Sequence, residues 1–314
     1  MVGNRSVPCR HRAGFVANPS TYFEILEPLE ANGLPPVMMI AGGGHSGACY
    51  LITPDGRPGW AHAFLRCGYR VVLVDWPGVG RSGFVPPEDL CGRLIVDGLA
   101  NVLNSLGEPA VLMTHSISGA FGWKMLEENS PAISALIGVA PASPGNLGKQ
   151  LGVLVRDEGT RKRVNMPSGE TVIDLGRTLN FPPEFHRAKL VGSSTRFPAE
   201  AMESYFQSLL GVAGRIVFER TNIGGGQLRV GDTSGFSNKP VLVVTGTEDT
   251  DHSRALDGEI VEWLIRAGAR AEFLYLGDLG IEGNGHMMML EQNSDETAKT
   301  IMSWLETSLG GEIS

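Results

Sequence analysis

Short runs in which nearly every residue is apolar or β-branched recur along the chain, at Val37–Ala41, Arg70–Trp76, Ala110–Thr114, Ala135–Ala140, Val241–Gly246 and Ala271–Leu276. Neither alternate set of positions in these runs is polar, so both faces need cover, which predicts parallel strands buried inside a sheet. Between them, Trp60–Cys67, Leu90–Leu106, Gly119–Glu128, Ala255–Ala267 and Asp295–Leu309 carry apolar residues at helical spacing. Strand alternating with helix predicts right-handed crossovers and an α/β fold built on a doubly wound, mostly parallel sheet. Ahead of these, Phe15–Val16 and Tyr22–Leu26 predict an antiparallel lead-in hairpin. No internal repeat or low-complexity tract competes with this organisation.

The rhythm breaks from about Asn146 to Ser237, where charged residues, glycines and amphipathic pieces such as Pro198–Leu210 mix. This interval predicts an insertion between the sixth and seventh strands, giving a core from residues 1–145 and 238–314 and a lid or cap from 146–237. Such a lid would sit over the C-terminal ends of the strands, where open α/β sheets place their ligands. The plainer alternative, a long surface excursion without a role in chemistry, conflicts with the rarity of structureless loops of that length in compact domains.

Composition narrows the partners. The 314 residues are 42% hydrophobic, enough for one large core. Lys and Arg number 26 against 34 Asp and Glu, a formal charge of −8 with no basic run. That balance argues against nucleic acid and anionic membrane as partners and leaves a small-molecule substrate, with a homo-oligomer open. Cys9, Cys49, Cys67 and Cys91 are scattered without metal-type spacing, which argues against a zinc site and predicts reduced thiols in a cytoplasmic protein. Residues 1–20 are polar, with Arg5, Arg10, His11 and Arg12, and predict no export signal. Val71–Val74 and Val241–Val244, the longest apolar runs, are too short to cross a bilayer.

Four loops carry candidate chemistry. In Ala110-Val-Leu-Met-Thr-His-Ser-Ile-Ser-Gly a buried strand passes through a tight turn into a helix with Ser116 at its tip. A nucleophile in such a turn needs small residues two before and two after it, and Thr114 and Ser118 fill those places; a serine merely capping a helix is the plainer alternative. The glycine run of Met38-Met-Ile-Ala-Gly-Gly-Gly-His follows an earlier strand. Its Gly43 amide, with Gly44 next in line, and the amide of Ile117 could form an oxyanion hole, each donor worth about 3–4 kcal/mol in the transition state. A phosphate cradle fits less well, since neither a Walker lysine nor a G-x-G-x-x-G spacing follows. After the last strand, Asp278-Leu-Gly-Ile-Glu-Gly-Asn-Gly-His places His286 as general base, in the order serine, acid, histidine. The acid is expected after strand Val241–Thr245, where Asp249 leads Glu248 and Asp251 as the carboxylate that holds the imidazole in its working tautomer. Gly44, His45, His115 and Met287 are expected to line the substrate; His252 lies too near the acid to assign.

These pieces, in this order, resemble the α/β-hydrolase superfamily across nearly the whole chain. Thr53-Pro-Asp-Gly-Arg-Pro-Gly-Trp-Ala, Phe64-Leu-Arg-Cys-Gly-Tyr, Val74-Asp-Trp-Pro-Gly-Val-Gly-Arg-Ser-Gly and Gly283-Asn-Gly-His-Met-Met-Met more narrowly resemble the Alcaligenes-type bacterial esterases. That resemblance implies catalysis by Ser116 and His286, with the glycine loop as oxyanion hole. Two positions depart from it. The subgroup carries its acid in a Glu-Pro context after the strand following the nucleophile, where this chain has Ala140-Pro141 and no carboxylate until Asp157. Without an acid such a triad loses about four orders of magnitude in kcat, so Asp249 is the expected replacement. Ala41 stands where many hydrolases have histidine. Asp75 and Arg81 read as structural residues holding the turn after their strand. The expected reaction is ester hydrolysis through an acyl-enzyme, with no metal or organic cofactor. An amidase, lactonase or carbon–carbon bond hydrolase would use the same groups, and a ligand receptor on a hydrolase scaffold would keep them without turnover. Phe181, Phe185, Tyr205, Phe206 and Met287 to Met289 would suit a hydrophobic or aromatic acyl group, though core packing explains them equally.

Overall fold

A computed structural model describes residues 7–30 and 32–310; part of the polar N-terminal stretch discussed above, including Arg5, lies outside them. The chain opens with an antiparallel hairpin, β1 (Cys9–Val16) and β2 (Thr21–Pro28), longer than its apolar content signals because β1 is largely exposed. It then lays down β3 (Val37–Ile40), β4 (Val71–Val74), β5 (Ala110–His115) and β6 (Ile133–Val139), interleaved with α1 (Trp60–Arg66), α2 (Gly92–Ser105) and α3 (Ser118–Asn129).

After β6 the chain leaves the sheet. It forms three antiparallel strands, β7 (Val153–Glu158), β8 (Arg161–Met166) and β9 (Gly169–Asp174), then a short pair, β10 (Thr178–Leu179) and β11 (Val212–Ala213). Helices α4 (Pro183–His186), α5 (Met202–Ser208) and α6 (Gly214–Arg220) complete the insertion. Asn146 ties its two ends together, donating to the Val230 carbonyl and accepting from the Val230 amide, both at 2.8 Å. The chain then rejoins the sheet as β12 (Pro240–Thr245), α7 (Arg254–Arg266), β13 (Arg270–Tyr275) and α8 (Ser294–Leu309).

The eight-stranded sheet has the order β1-β2-β4-β3-β5-β6-β12-β13, parallel from β4 onward and antiparallel at the lead-in hairpin. Alternate side chains of one strand point to opposite faces. Val37, Met39, Val71 and Leu73 pack with Trp60, Phe64, Ile301 and Leu305 of α1 and α8. Met38, Ile40, Val72 and Val74 pack with Ile95, Phe121 and Leu264 of α2, α3 and α7. Helices on both faces explain why the strands read as unbroken apolar runs. This is the α/β-hydrolase architecture expected from the sequence, with the insertion between the sixth and seventh strands of the sheet.

Two features of the insertion depart from the sequence expectation. The sheet β7–β9 carries no strong apolar signal because it buries little: Val164 and Ile173 meet Ile223 in a small separate cluster, while all six residues of β7 are exposed. The amphipathic stretch Pro198–Leu210 contracts to a 3-10 turn and the seven residues of α5. Leu209 is extended, so that the Leu210 amide donates to the Gly44 carbonyl at 2.8 Å instead of continuing the helix.

Candidate active site

Ser116 sits between β5 and α3 with φ of 56°, a left-handed conformation that costs a non-glycine residue about 1–3 kcal/mol. The neighbouring backbone fixes it there: its amide donates to the Val139 carbonyl at 3.1 Å, and its carbonyl accepts from the amides of Gly119 and Ala142 at 2.9 and 2.8 Å. Close approach of α3 to the sheet demands glycine at 119 and 122, where a Cβ would come within 2.6 Å of Pro141 and 2.7 Å of Thr114. The Ser118 hydroxyl accepts from the His115 amide at 2.8 Å and donates toward the Ile40 carbonyl at 3.0 Å.

The glycine loop after β3 runs directly against this turn. A Cβ on Gly42 would lie 2.7 Å from His115 Nδ1 and 2.9 Å from Ser116 Cβ, so only glycine lets the loop pass. Gly43 lies beside the Ile117 side chain, and neither the Gly43 nor the Ile117 amide has an acceptor among the described residues. His45 braces the loop: Nδ1–H donates to the Gly43 carbonyl and Nε2 accepts from the Tyr205 hydroxyl of α5, each at 2.9 Å. This tautomer is neutral, in keeping with burial that pulls the His45 pKa down to about 4.

His286 Nε2 lies 2.9 Å from Ser116 Oγ, and His286 Nδ1 lies 2.8 Å from Asp249 Oδ2. The other Asp249 oxygen accepts from the amides of Asp251 and His252 at 2.9 and 3.1 Å. Burial opposes the charge on Asp249, but His286, His252 and these amides together hold its pKa below the usual carboxylate value. For His286, burial lowers the pKa and outweighs the attraction of Asp249. Of the rival carboxylates, Asp251 is paired with Lys189, and Glu248 hydrogen-bonds through its backbone to Asn284. Ala140, where the esterase subgroup carries its acid, has φ of 42° and ends β6 with its amide on the Val244 carbonyl.

Other expected positions fall differently. His115 is buried beside His286, donating from Nε2 to the His286 carbonyl at 3.0 Å, and burial holds its pKa well below the usual value. Met287 is buried in the core with Met288 and Met289, because the chain turns inward after His286; it does not line an open site. Gly44 and His45 do line a narrow cleft, against Val212 and Ile216 of the insertion. Phe181 and Phe185 stack at 4.4 Å and line neither cleft beside Ser116.

Several supporting groups escaped sequence reasoning. His252 stacks on His286, ring centroids 5.3 Å apart, and its Nδ1 bonds Asp257, which also accepts from Thr245. Buried Glu291 accepts from Ser194, the Gly285 amide and Asn284, fixing the loop that carries the base. Arg220 and Lys189 come from the insertion, where no periodic pattern marks them. Among the described residues no group of three or more His, Cys, Asp or Glu side chains is disposed to hold a metal ion.

A nucleophile elbow, a facing glycine loop and a histidine after the last strand, on this sheet, define a hydrolase. The chain belongs to the alpha/beta hydrolase family, whose model matches residues 37–300. It is 25% identical over an alignment of 350 residues to "Probable secreted lipase phiG" from Fungal sp. (strain ATCC 74256), spanning 93% of this chain and 87% of that protein. A shorter match, 27% over 151 residues and 46% of this chain, is to 48% of the 2-hydroxy-6-oxononadienedioate/2-hydroxy-6-oxononatrienedioate hydrolase of Comamonas testosteroni. Among solved structures the fold is similar to that of a novel bacterial esterase, with a TM-score of 0.58, 17% identity and coverage of 96% of this chain and 94% of that one.

Proposed function

We propose that this hydrolase is a carboxylic-ester hydrolase of the lipase and esterase type, acting through an acyl-enzyme on Ser116. One observation carries the reading: the relay from Asp249 through His286 to Ser116, at 2.8 and 2.9 Å, ends beside two amides without acceptors. As Ser116 Oγ attacks the ester carbonyl, His286 Nε2 takes its proton, and the amides of Gly43 and Ile117 receive the oxyanion. His286 then returns the proton to the leaving alkoxide. Water, deprotonated by the same imidazole, releases the acid and restores the serine. Asp249 keeps the Nδ1–H tautomer and steadies the imidazolium.

The names of the lipase relative and the esterase structure accord with this chemistry. In this reading the chain is of the Alcaligenes type, whose motif at Thr53–Ala61 is here tied to the segment just beyond the Gly283–Met289 motif: Arg57 donates to the carbonyls of Leu290 and Glu291. The insertion, 146–237, acts as the lid in this reading. The narrow cleft beside Ile117 is lined chiefly by Ala120, Phe121, Ile216 and Leu228, with Glu219, Arg220 and Gln227, a mainly apolar lining that suits a small substrate with an apolar portion. Four unpaired cysteines suit a reducing compartment such as the cytoplasm; among the described residues no helix is long and apolar enough to cross a membrane. Carbon–carbon bond hydrolysis on the same groups is the second reading, favoured by the Comamonas relative.

A fluorophosphonate probe should label Ser116, and Ser116→Ala should abolish labelling and lower kcat on a short-chain ester by on the order of 10⁵–10⁶-fold. Labelling at another residue, or turnover retained in the variant, contradicts the proposal.

A further inference from the structure

Ile216 of α6 lines two clefts, one with Ile117 and the other with Gly44 and His45. The cleft bounded by Ile117 is narrow, about 20 Å³, and Arg220, the last residue of α6, is in its wall. Arg220 and Ile117, the residue next to Ser116, therefore line one narrow space. Its other walls are mainly apolar, from Ala120, Phe121 and Leu228.

Arg220 is half-buried, yet among the described residues it has neither a hydrogen-bond acceptor nor an ion-pair partner. The cations around it are placed differently: Lys189 pairs with Asp251, and Arg215 with Glu219. Glu219 is the carboxylate in the same cleft, and its oxygens are engaged by Arg215 and, at 2.8 Å, by the Gly92 amide. Burial without a counter-charge pulls the Arg220 pKa below the usual arginine value. Lys189 falls to about 8, through burial and then the positive charge of Arg220, which puts the two cations within reach of each other's field. A desolvated, unpaired guanidinium is unfavourable in the empty site and becomes favourable when a ligand brings the missing anion.

We infer that the substrate carries a carboxylate on its acyl portion and that Arg220 is the specificity-determining residue that binds it, with Lys189 adding to the field. The inference rests on the reading of Ser116 as the nucleophile. A guanidinium fork matches the two oxygens of a carboxylate, and a short acyl chain would keep that group near the scissile carbonyl. Anchored on the acyl side, the carboxylate would stay bound through both acylation and deacylation, because the acyl group remains on Ser116.

The test compares monomethyl glutarate with methyl pentanoate, which differ chiefly by the anionic terminus, following methanol release. The wild-type enzyme should favour the anionic ester in kcat/KM. Arg220→Met should lower the anionic-to-neutral ratio by about 10- to 100-fold, mainly through KM, and Arg220→Lys should restore part of it. Should Arg220→Met fold poorly, the wild-type ratio serves alone: it should fall as salt rises from low to physiological ionic strength. A wild-type enzyme that turns over methyl pentanoate and is labelled by a neutral fluorophosphonate at Ser116, yet shows no anionic preference or an Arg220-independent one, overturns this inference and leaves the esterase reading standing. No labelling and no turnover of either ester overturns both.

Discussion

At the scale of single residues, the proposed mechanism turns on His286, pressed between the rings of His115 at 4.7 Å and His252 at 5.3 Å. Burial lowers its pKa, Asp249 pulls it back up, and His252 and Lys189 push it down, leaving it below the ordinary histidine value. Catalysis needs the neutral imidazole, so kcat/KM should rise with pH through an inflection below about 6.5 and stay level above it. Asp249→Asn removes the carboxylate that raises the pKa and fixes the tautomer. It should cost about 10⁴-fold in kcat and move the acid inflection to lower pH; a pH–rate profile of both proteins on a neutral ester reads both effects, and an inflection that moves upward speaks against this account. Ser116 and the acid loop were legible because each follows directly on a buried apolar strand, and His286 because it lies in the glycine-containing loop between the last strand and the last helix. Its place three residues beyond Gly246 put Asp249 ahead of Glu248 and Asp251, and in the structure Lys189 pairs with Asp251 while Asp249 faces the ring. His115 and Met287 misled for a related reason: adjacency in sequence to a reactive loop does not say which way a side chain turns. Arg220 was illegible, as one arginine on an insertion without periodicity.

At the scale of elements, the segment Thr53–Trp60 explains how the base loop is held. Arg57 donates to the carbonyls of Leu290, Glu291 and Gln292 at 3.2, 3.1 and 3.4 Å, and Trp60 Nε1 donates to the Ser294 carbonyl at 2.9 Å. The turn after His286 and the start of α8 are thus bound to α1, on the same face of the sheet. Arg57→Ala should lower unfolding free energy by about 1–3 kcal/mol in urea titration and reduce kcat more than it raises KM, because the base loses its positioning and the clefts lose nothing. A variant with wild-type kcat and a normal urea midpoint would show that Glu291 and Asn284 suffice. The parallel strands and their helices were legible because burial on two faces forces an apolar texture on the sequence. The sheet β7–β9 was not, since a three-stranded layer that buries two side chains against Ile223 imposes almost no pattern.

At the scale of the whole molecule, the sheet and the insertion are coupled through buried neutral histidines, and this coupling sets the response to acid. His45 joins the Gly43 carbonyl to Tyr205 of α5, while His115 and His286 lie beneath it at the strand ends. All three have pKa values lowered in the folded state, His45 to about 4. Below about 6.5 the unfolded chain therefore binds protons that the folded chain refuses, so stability falls as pH drops from 6.5 toward 4. For His45 alone the loss is on the order of 3 kcal/mol, complete only below its folded pKa. Asp249, whose pKa is depressed, adds a further loss at still lower pH as it takes up a proton. The urea midpoint should therefore drop steeply between pH 7 and 4.5, and His45→Gln, which has no titrating group there, should flatten that slope while lowering the midpoint at pH 7. Protonating His45 places a second N–H against the Tyr205 hydroxyl, which must then turn to accept. Hydrogen exchange at pH 5 should accordingly accelerate first in α5 and residues 42–45, before β5 and β6; simultaneous exchange of all four would mean that insertion and sheet open as one unit.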